Sequence, residues 1–212
     1  MKTISILNYG CGNLLSIKRA IEEVGYNSKI ISEKGEIEKA NFIILPGVGA
    51  FENAMSLLKQ KNYIEPLKQY VLKEKKPILG ICLGMQLFLT KSFEMGEHDG
   101  LDFISGEVIS LNKLSKNKEI KVPQINWNKI KFAKESKTIN IQKNLLNKSF
   151  YFIHSYMAKL TDQKNLLGYC NYYDLSIPAV IQSENILGCQ FHPEKSGKNG
   201  LTIFKNILSE LK

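Results

Sequence analysis

Residues 77–86 read Pro77-Ile-Leu-Gly80-Ile-Cys82-Leu-Gly84-Met-Gln86. Ile78, Leu79 and Ile81 form the short apolar run of a strand buried on both faces, and Pro77 marks its start. Cys82 follows at once, with Gly80 and Gly84 two residues to either side. This is the pattern of a sharp strand-to-helix turn, in which small flanking residues let the backbone fold tightly and lift a nucleophile to the C-terminal edge of a sheet. A helix over 83–90 is expected to follow. Its free N-terminal N–H groups and positive dipole end would favour a thiolate and offer the Leu83 N–H to an oxyanion. Gln86, four residues after Cys82, would project from the same side of that helix. A buried structural cysteine is the competing reading of Cys82, and the elbow pattern outweighs it.

Outward from this segment the first half of the chain alternates strand and helix. Strands are expected at 3–8, 27–31, 41–45 and 77–81, and helices at 13–24, 51–58 and 64–72. Near-continuous apolar strands between helices imply a parallel sheet covered on its faces. The second half carries short strand-like runs at 104–111, 127–132, 150–153, 166–171, 179–181 and 186–190, then a helix at 201–211. The expected architecture is a single α/β domain over residues 1–212, with a mostly parallel central sheet flanked by helices and additional antiparallel strands in the C-terminal half. Residues 113–121 are expected to form a flexible loop.

The chain has 212 residues, 43% hydrophobic and 23% charged, which suits a globular domain with a sizeable core. No apolar run approaches the ~18 residues of a membrane span. The N-terminal apolar run ends at Asn8 without a cleavage pattern and reads as a first strand, so a cytoplasmic location without membrane contact is expected. Cys11, Cys82, Cys170 and Cys189 are widely spaced, which disfavours a zinc site or disulfide framework; no metal or organic cofactor is expected. The net charge is +9, yet Arg19 is the single arginine among 29 basic residues. The bidentate fork that reads guanine and clamps phosphate is nearly absent, so nucleic acid is not an expected partner. Residues 113–148 hold ten Lys against two Glu. They read as Lys-blunted edge strands, with a face for an acidic partner close behind.

A nucleophilic cysteine needs a base, and the base needs an orienting group. Leu187-Gly-Cys-Gln190-Phe-His192-Pro193-Glu194-Lys195 supplies both. His192 and Glu194 lie two apart, and an extended segment held by Pro193 would turn them to the same side. His98 reads as an exposed loop residue, and His154 in Tyr151-Phe-Ile-His154-Ser-Tyr156 as structural or substrate-lining. Leu45-Pro46-Gly47-Val48-Gly49-Ala50-Phe51 follows a strand and opens a helix, so its glycines permit close backbone approach and a second oxyanion donor. With Gly47 and Gly49 around it, the Val48 peptide has two possible orientations, only one of which aims its N–H at an oxyanion. Gly10-Cys11-Gly12-Asn13 opens like a dinucleotide fingerprint, but Leu15 occupies the third glycine position, so a dinucleotide site is not expected.

Gly80-Ile-Cys82-Leu-Gly84-Met-Gln86 together with Phe191-His192-Pro193-Glu194 resembles the class I (triad) glutamine amidotransferases. Within that family, the segments 8–14, 46–51, 151–156 and 190–197 are similar to the glutaminase subunits of imidazole glycerol phosphate synthases, so the resemblance runs through nearly the whole chain. It implies that Cys82 attacks the side-chain amide of L-glutamine, with His192 as general base and then acid and Glu194 orienting it. Val48 and Leu83 would supply the oxyanion-hole N–H groups. Gly47, Gly49, Gln86, Ser155 and Tyr156 would line the glutamine pocket. Lys195, Asn13, Gln124 and Trp127 would face the ammonia exit and a partner. That partner would be a (β/α)8-barrel cyclase subunit forming a heterodimer, which uses the ammonia in histidine biosynthesis.

One stretch departs from the family. Val122-Pro123-Gln124-Ile125-Asn126-Trp127-Asn128 stands where V-P-H-M-G-W-N is usual. The triad is untouched, so the alternative this raises is a paralogous glutaminase feeding a different synthase, such as one that amidinates a surface-sugar precursor. A catalytically dead interaction subunit would have no need of all three triad residues. A cysteine peptidase fits less well with Gln86 and the His-Pro-Glu order.

Overall fold

The computed structural model describes residues 3–133 and 148–210. Along the chain run β1 (Thr3–Leu7), α1 (Leu14–Glu23), β2 (Asn27–Ile31), α2 (Lys34–Lys39), β3 (Ile43–Leu45), α3 (Phe51–Gln60), α4 (Ile64–Lys68, continued by a π-helical turn), β4 (Ile78–Ile81) and α5 (Leu83–Gln86). There follow β5 (Leu89–Ser92), β6 (His98–Asp99), β7 (Ile104–Ser110), α6 (Leu111–Leu114), β8 (Gln124–Lys129), β9 (Lys131–Phe132), β10 (Ser149–His154) and β11 (Tyr156–Leu160). The chain closes with β12 (Leu166–Tyr172), β13 (Leu175–Ser183), β14 (Ile186–Cys189) and α7 (Gly197–Glu210).

Eight strands form the central sheet in the order β2-β1-β3-β4-β14-β13-β12-β9. The pairings from β2 to β14 are parallel and those from β14 to β9 antiparallel. Side chains alternate between two cores, as a period of two requires. Ile4, Ile6, Ile44, Leu79 and Ile81 pack with Ile17 and Ile21 of α1 and Phe204 of α7. Leu7, Ile43, Leu45 and Ile78 face Ala54 and Leu58 of α3 and Leu67 of α4. The second core is closed by a small sheet of order β11-β7-β5-β6, while β8 and β10 pair as a separate ribbon. Lys131 stands exposed on β9, the sheet's outer strand, in keeping with a blunted edge.

Several expectations need correction. The helix expected over 83–90 ends at Gln86, because Leu87 and Phe88 hand the chain to β5, whose pairing with β6 and β7 outweighs a helical periodicity. The helices at 34–39 and 111–114 and the strand β11 carry no signal read above. His98 lies in β6 with its side chain 19% exposed, not in an open loop. Residues 115–121 are irregular as expected, yet Asp174 anchors them through Ser115 Oγ and the Lys116 N–H (2.8 Å). The expected Lys-rich segment falls partly outside the described residues.

β3, β4 and β14 are adjacent and parallel, so their C-terminal ends deliver three loops to one edge: 46–50, Cys82 and 190–196. Ligands bind at such an edge in open α/β sheets.

Candidate active site

Cys82 sits at φ 54°, ψ −108°, a conformation costing an L-residue about 1–3 kcal/mol that persists only where surrounding structure enforces it. Backbone packing does so here. A Cβ on Gly84 would lie 2.0 Å from the Leu45 carbonyl oxygen, and one on Gly80 would lie 2.7 Å from the Gly84 carbonyl. The Cys82 N–H donates to the Cys189 carbonyl (2.7 Å), tying the elbow to the end of β14. Leu83 then opens a single helical turn, so Cys82 caps α5 from outside the helix.

His192 stands three residues past the end of β14. Its Nδ1 is 2.8 Å from Glu194 Oε1, and both side chains are 2% exposed. The pairing comes from a 3₁₀ turn over Pro193–Lys195 and not from the extended segment expected above. Two residues apart in a tight turn still converge, and Pro at the first position suits it. The base is also gripped by its backbone: the His192 N–H donates to the Tyr151 carbonyl (3.0 Å), and Ser196 Oγ donates to the His192 carbonyl (2.6 Å). His192 Nε2 is buried without a hydrogen bond among the described residues. Burial alone would lower the ring's pKa, but Cys82 and Glu194 together lift it to about 10, so the imidazolium is the favoured form.

A cavity of about 330 Å³ joins these groups. Val48, Gly49, Cys82, Leu83, Gln86, Ser155, Tyr156, His192 and Lys195 line it. Gly47 does not. It is buried with its α-carbon against the elbow, where a Cβ would meet Gly84 N at 2.6 Å and Leu83 Cβ at 2.7 Å. That contact presses the 46–50 loop onto the N-terminus of α5. The loop is also pinned by the buried Tyr9 hydroxyl, which donates to the Pro46 carbonyl (2.7 Å).

The residues expected at a partner face divide. Trp127 is 55% exposed and Lys195 lies at the cavity wall. Asn13 is exposed and caps α1, its side chain accepting from the Ser16 N–H, away from the cavity lining. Gln124 is corrected: β8 alternates faces, and Gln124 points inward, fully buried against Asn126 and Cys170.

Two groups escaped the sequence reading, and a third was read only in part. Glu94 lines the cavity, one carboxylate oxygen accepting from the Phe51 N–H (2.8 Å). It lies in a loop whose sequence carries no motif. Gln190 is fully buried, and its amide donates to Cys82 Sγ (3.6 Å); a polar residue inside the apolar run Leu187–Phe191 was the available signal. His154 was read as substrate-lining or structural, but not its charge: burial holds its pKa down to about 4, leaving it neutral, with Nδ1–H donating to the Tyr156 carbonyl (2.8 Å). Among the described residues no cluster of His, Cys, Asp and Glu could hold a metal, and no helix is long and apolar enough to cross a membrane.

The family model described as "Glutamine amidotransferase class-I" matches residues 5–211. The chain belongs to the class I glutamine amidotransferases. As a member it is a glutaminase, an enzyme that hydrolyses glutamine to glutamate and ammonia. An imidazole glycerol phosphate synthase subunit HisH of Legionella pneumophila is 45% identical over 98% of this chain and 99% of that protein. The subunit of the same name from Carboxydothermus hydrogenoformans is 43% identical over 95% and 96% of the two chains. Among solved structures, PurLQS from Thermotoga maritima superposes with a TM-score of 0.72 at 17% identity, over 100% of this amidotransferase and 99% of that chain. A glutamine amidotransferase crystal structure gives 0.70 at 16% identity, over 97% and 98% of the two chains. At that identity these two speak for the fold.

Proposed function

We propose that this glutaminase works through Cys82, His192 and Glu194, and that it passes its ammonia to a cyclase subunit of an imidazole glycerol phosphate synthase. The observation that carries the site is the meeting of the strained Cys82 elbow and the buried His192–Glu194 pair at the ends of adjacent parallel strands. The pathway rests on the near-full-length similarity to proteins named as subunits of that synthase.

In the first half-reaction Cys82 Sγ, as thiolate, bonds to Cδ of glutamine and the carbonyl electron pair moves to oxygen. The N–H groups of Leu83 and Val48 receive that charge, Leu83 with the help of the α5 N-terminus. As the oxyanion collapses, His192 Nε2–H protonates the departing nitrogen, which leaves as ammonia. Water then gives a proton to His192 and bonds to Cδ, the C–S bond breaks toward sulfur, and glutamate departs. Glu194 keeps Nδ1 protonated throughout. Glu94 and Lys195 at opposite charge suit the α-ammonium and α-carboxylate of a free amino acid. Both amide hydrogens of Gln86 are committed, to the Tyr156 carbonyl and to Gln190 Oε1 (3.0 Å each), so Gln86 offers a ligand its carbonyl oxygen.

The Val48 N–H serves only in one orientation of the Gly47–Val48 peptide, so basal turnover is low and a loaded partner raises it. The partner's expected landing site is the outer face of the β8/β10 ribbon. Ile125 and Trp127 stand exposed there, Trp127 against Tyr151, and Ile153 and Pro123 continue into the cavity wall.

The test is glutamate release from glutamine with and without the histidine-pathway cyclase of the same organism and its ribonucleotide ligand, with Cys82→Ala as blank. Strong stimulation is expected. Cys82-dependent activity that this cyclase leaves unchanged would move the enzyme to another synthase.

A further inference from the structure

We propose that Gln190 is a further catalytic residue, whose side-chain amide holds the Cys82 sulfur by a hydrogen bond whenever that sulfur carries charge. The inference rests on the proposed role of Cys82 as nucleophile.

Gln190 is fully buried, and a primary amide left unpaired there would cost roughly 1–3 kcal/mol. Its partners fix which way it faces. The Tyr156 carbonyl can only accept, so the Gln86 nitrogen must face it. That same nitrogen donates to Gln190 (3.0 Å), which must therefore turn its oxygen toward Gln86. The Gln190 NH2 is left pointing at Cys82 Sγ, 3.6 Å away. Its backbone is equally determined: the Gln190 N–H donates to the Ala179 carbonyl of β13 (2.9 Å), and Phe191 beside it is fully buried. Two amides and one carbonyl thus form a relay ending in a donor aimed at the reacting atom.

The relay has a defined place in the chemistry. The Gln190 hydrogen is never transferred. It bonds to sulfur when the attacking thiolate forms, weakens as the C–S bond forms and the sulfur loses charge, and strengthens again as thioester hydrolysis returns the electron pair to sulfur. The donor therefore raises the population of attacking thiolate and stabilises the leaving thiolate. Hydrogen bonds to charged groups correspond to roughly 10- to 100-fold.

The experiment compares wild type, Cys82→Ala, Gln190→Met and Gln190→Glu. Met keeps the length of the side chain but has no donor. Glu keeps an acceptor for Gln86 and, ionised in alkaline buffer, turns an oxygen toward the sulfur. Each is assayed for glutamine turnover and for the Cys82-dependent ultraviolet absorbance of a thiolate. Both variants are expected to lose roughly 10- to 100-fold in kcat and to show less thiolate absorbance, with KM changed little in Gln190→Glu, which keeps the contact to Gln86. Wild-type kcat in either folded variant, or a loss confined to KM with the absorbance intact, would overturn the proposal. If Gln190→Met fails to fold, Gln190→Glu decides alone. A wild type without Cys82-dependent hydrolysis would instead remove the nucleophile assignment itself.

Discussion

His192 and His154 share one cavity and are driven in opposite directions. His192 is lifted to about 10 by Cys82 and Glu194 against the effect of burial, while His154 is held near 4 by burial, with the charge of His192 adding to the depression. The latter has a consequence for stability. Unfolded, His154 titrates near its ordinary value of 6.5. Between pH 6.5 and 4 the unfolded chain binds the proton and the folded one does not, so the stability is fully present above 6.5 and is lost as pH falls toward 4. The shift corresponds to about 3 kcal/mol. Urea unfolding of wild type and His154→Gln at about pH 7 and about pH 4 is expected to show wild type losing about 3 kcal/mol more than the variant. Equal losses would contradict it. At this scale the sequence is uneven to read. Cys82 and His192 announce themselves through neighbours fixed in sequence, Gly80, Gly84 and Pro193. Gln190 and Glu94 gain their meaning from contacts 108 and 43 residues away.

The elbow is an element made by absent side chains. Gly84→Ala is expected to cost more than about 4 kcal/mol, since its Cβ would meet the backbone oxygen of Leu45 at 2.0 Å and backbone cannot swing aside. Gly49→Ala meets nothing within 4 Å and carries only the strain of φ +99°, about 1–2 kcal/mol. Thermal unfolding of both variants checks the ranking, and equal costs would refute it. The parallel strands were legible because both faces of β1, β3 and β4 are buried and their apolar runs are continuous. The end of α5 was not, because Leu87–Ser92 has an apolar pattern that a helix and a strand both accept, and the choice falls to residues 98–108. The His192–Glu194 contact was foreseen from the wrong backbone: spacing of two serves an extended chain and a 3₁₀ turn alike.

For the whole molecule, three loops meeting at one sheet edge, the cavity they line and the exposed aromatic ribbon of β8 and β10 suit the proposed delivery of ammonia to a partner. Trp127→Ala is expected to weaken binding of the cyclase by at least about 2 kcal/mol, read by titration calorimetry, because large exposed aromatics at an interface centre dominate affinity. Unchanged affinity would place the interface elsewhere. Gln124 and Trp127 were expected on one face, and the structure exposes Trp127 and buries Gln124, since period-two alternation assigns faces only once the strand's register with β10 is known. In the proposed reaction the sulfur of Cys82 takes the γ-glutamyl group. Acid quenching during turnover of glutamine, followed by peptide mapping, tests it most directly. A γ-glutamyl thioester on the Cys82 peptide alone is the expected result. Its appearance on Cys11, Cys170 or Cys189, or glutamine hydrolysis by Cys82→Ala at the wild-type rate, would contradict the account.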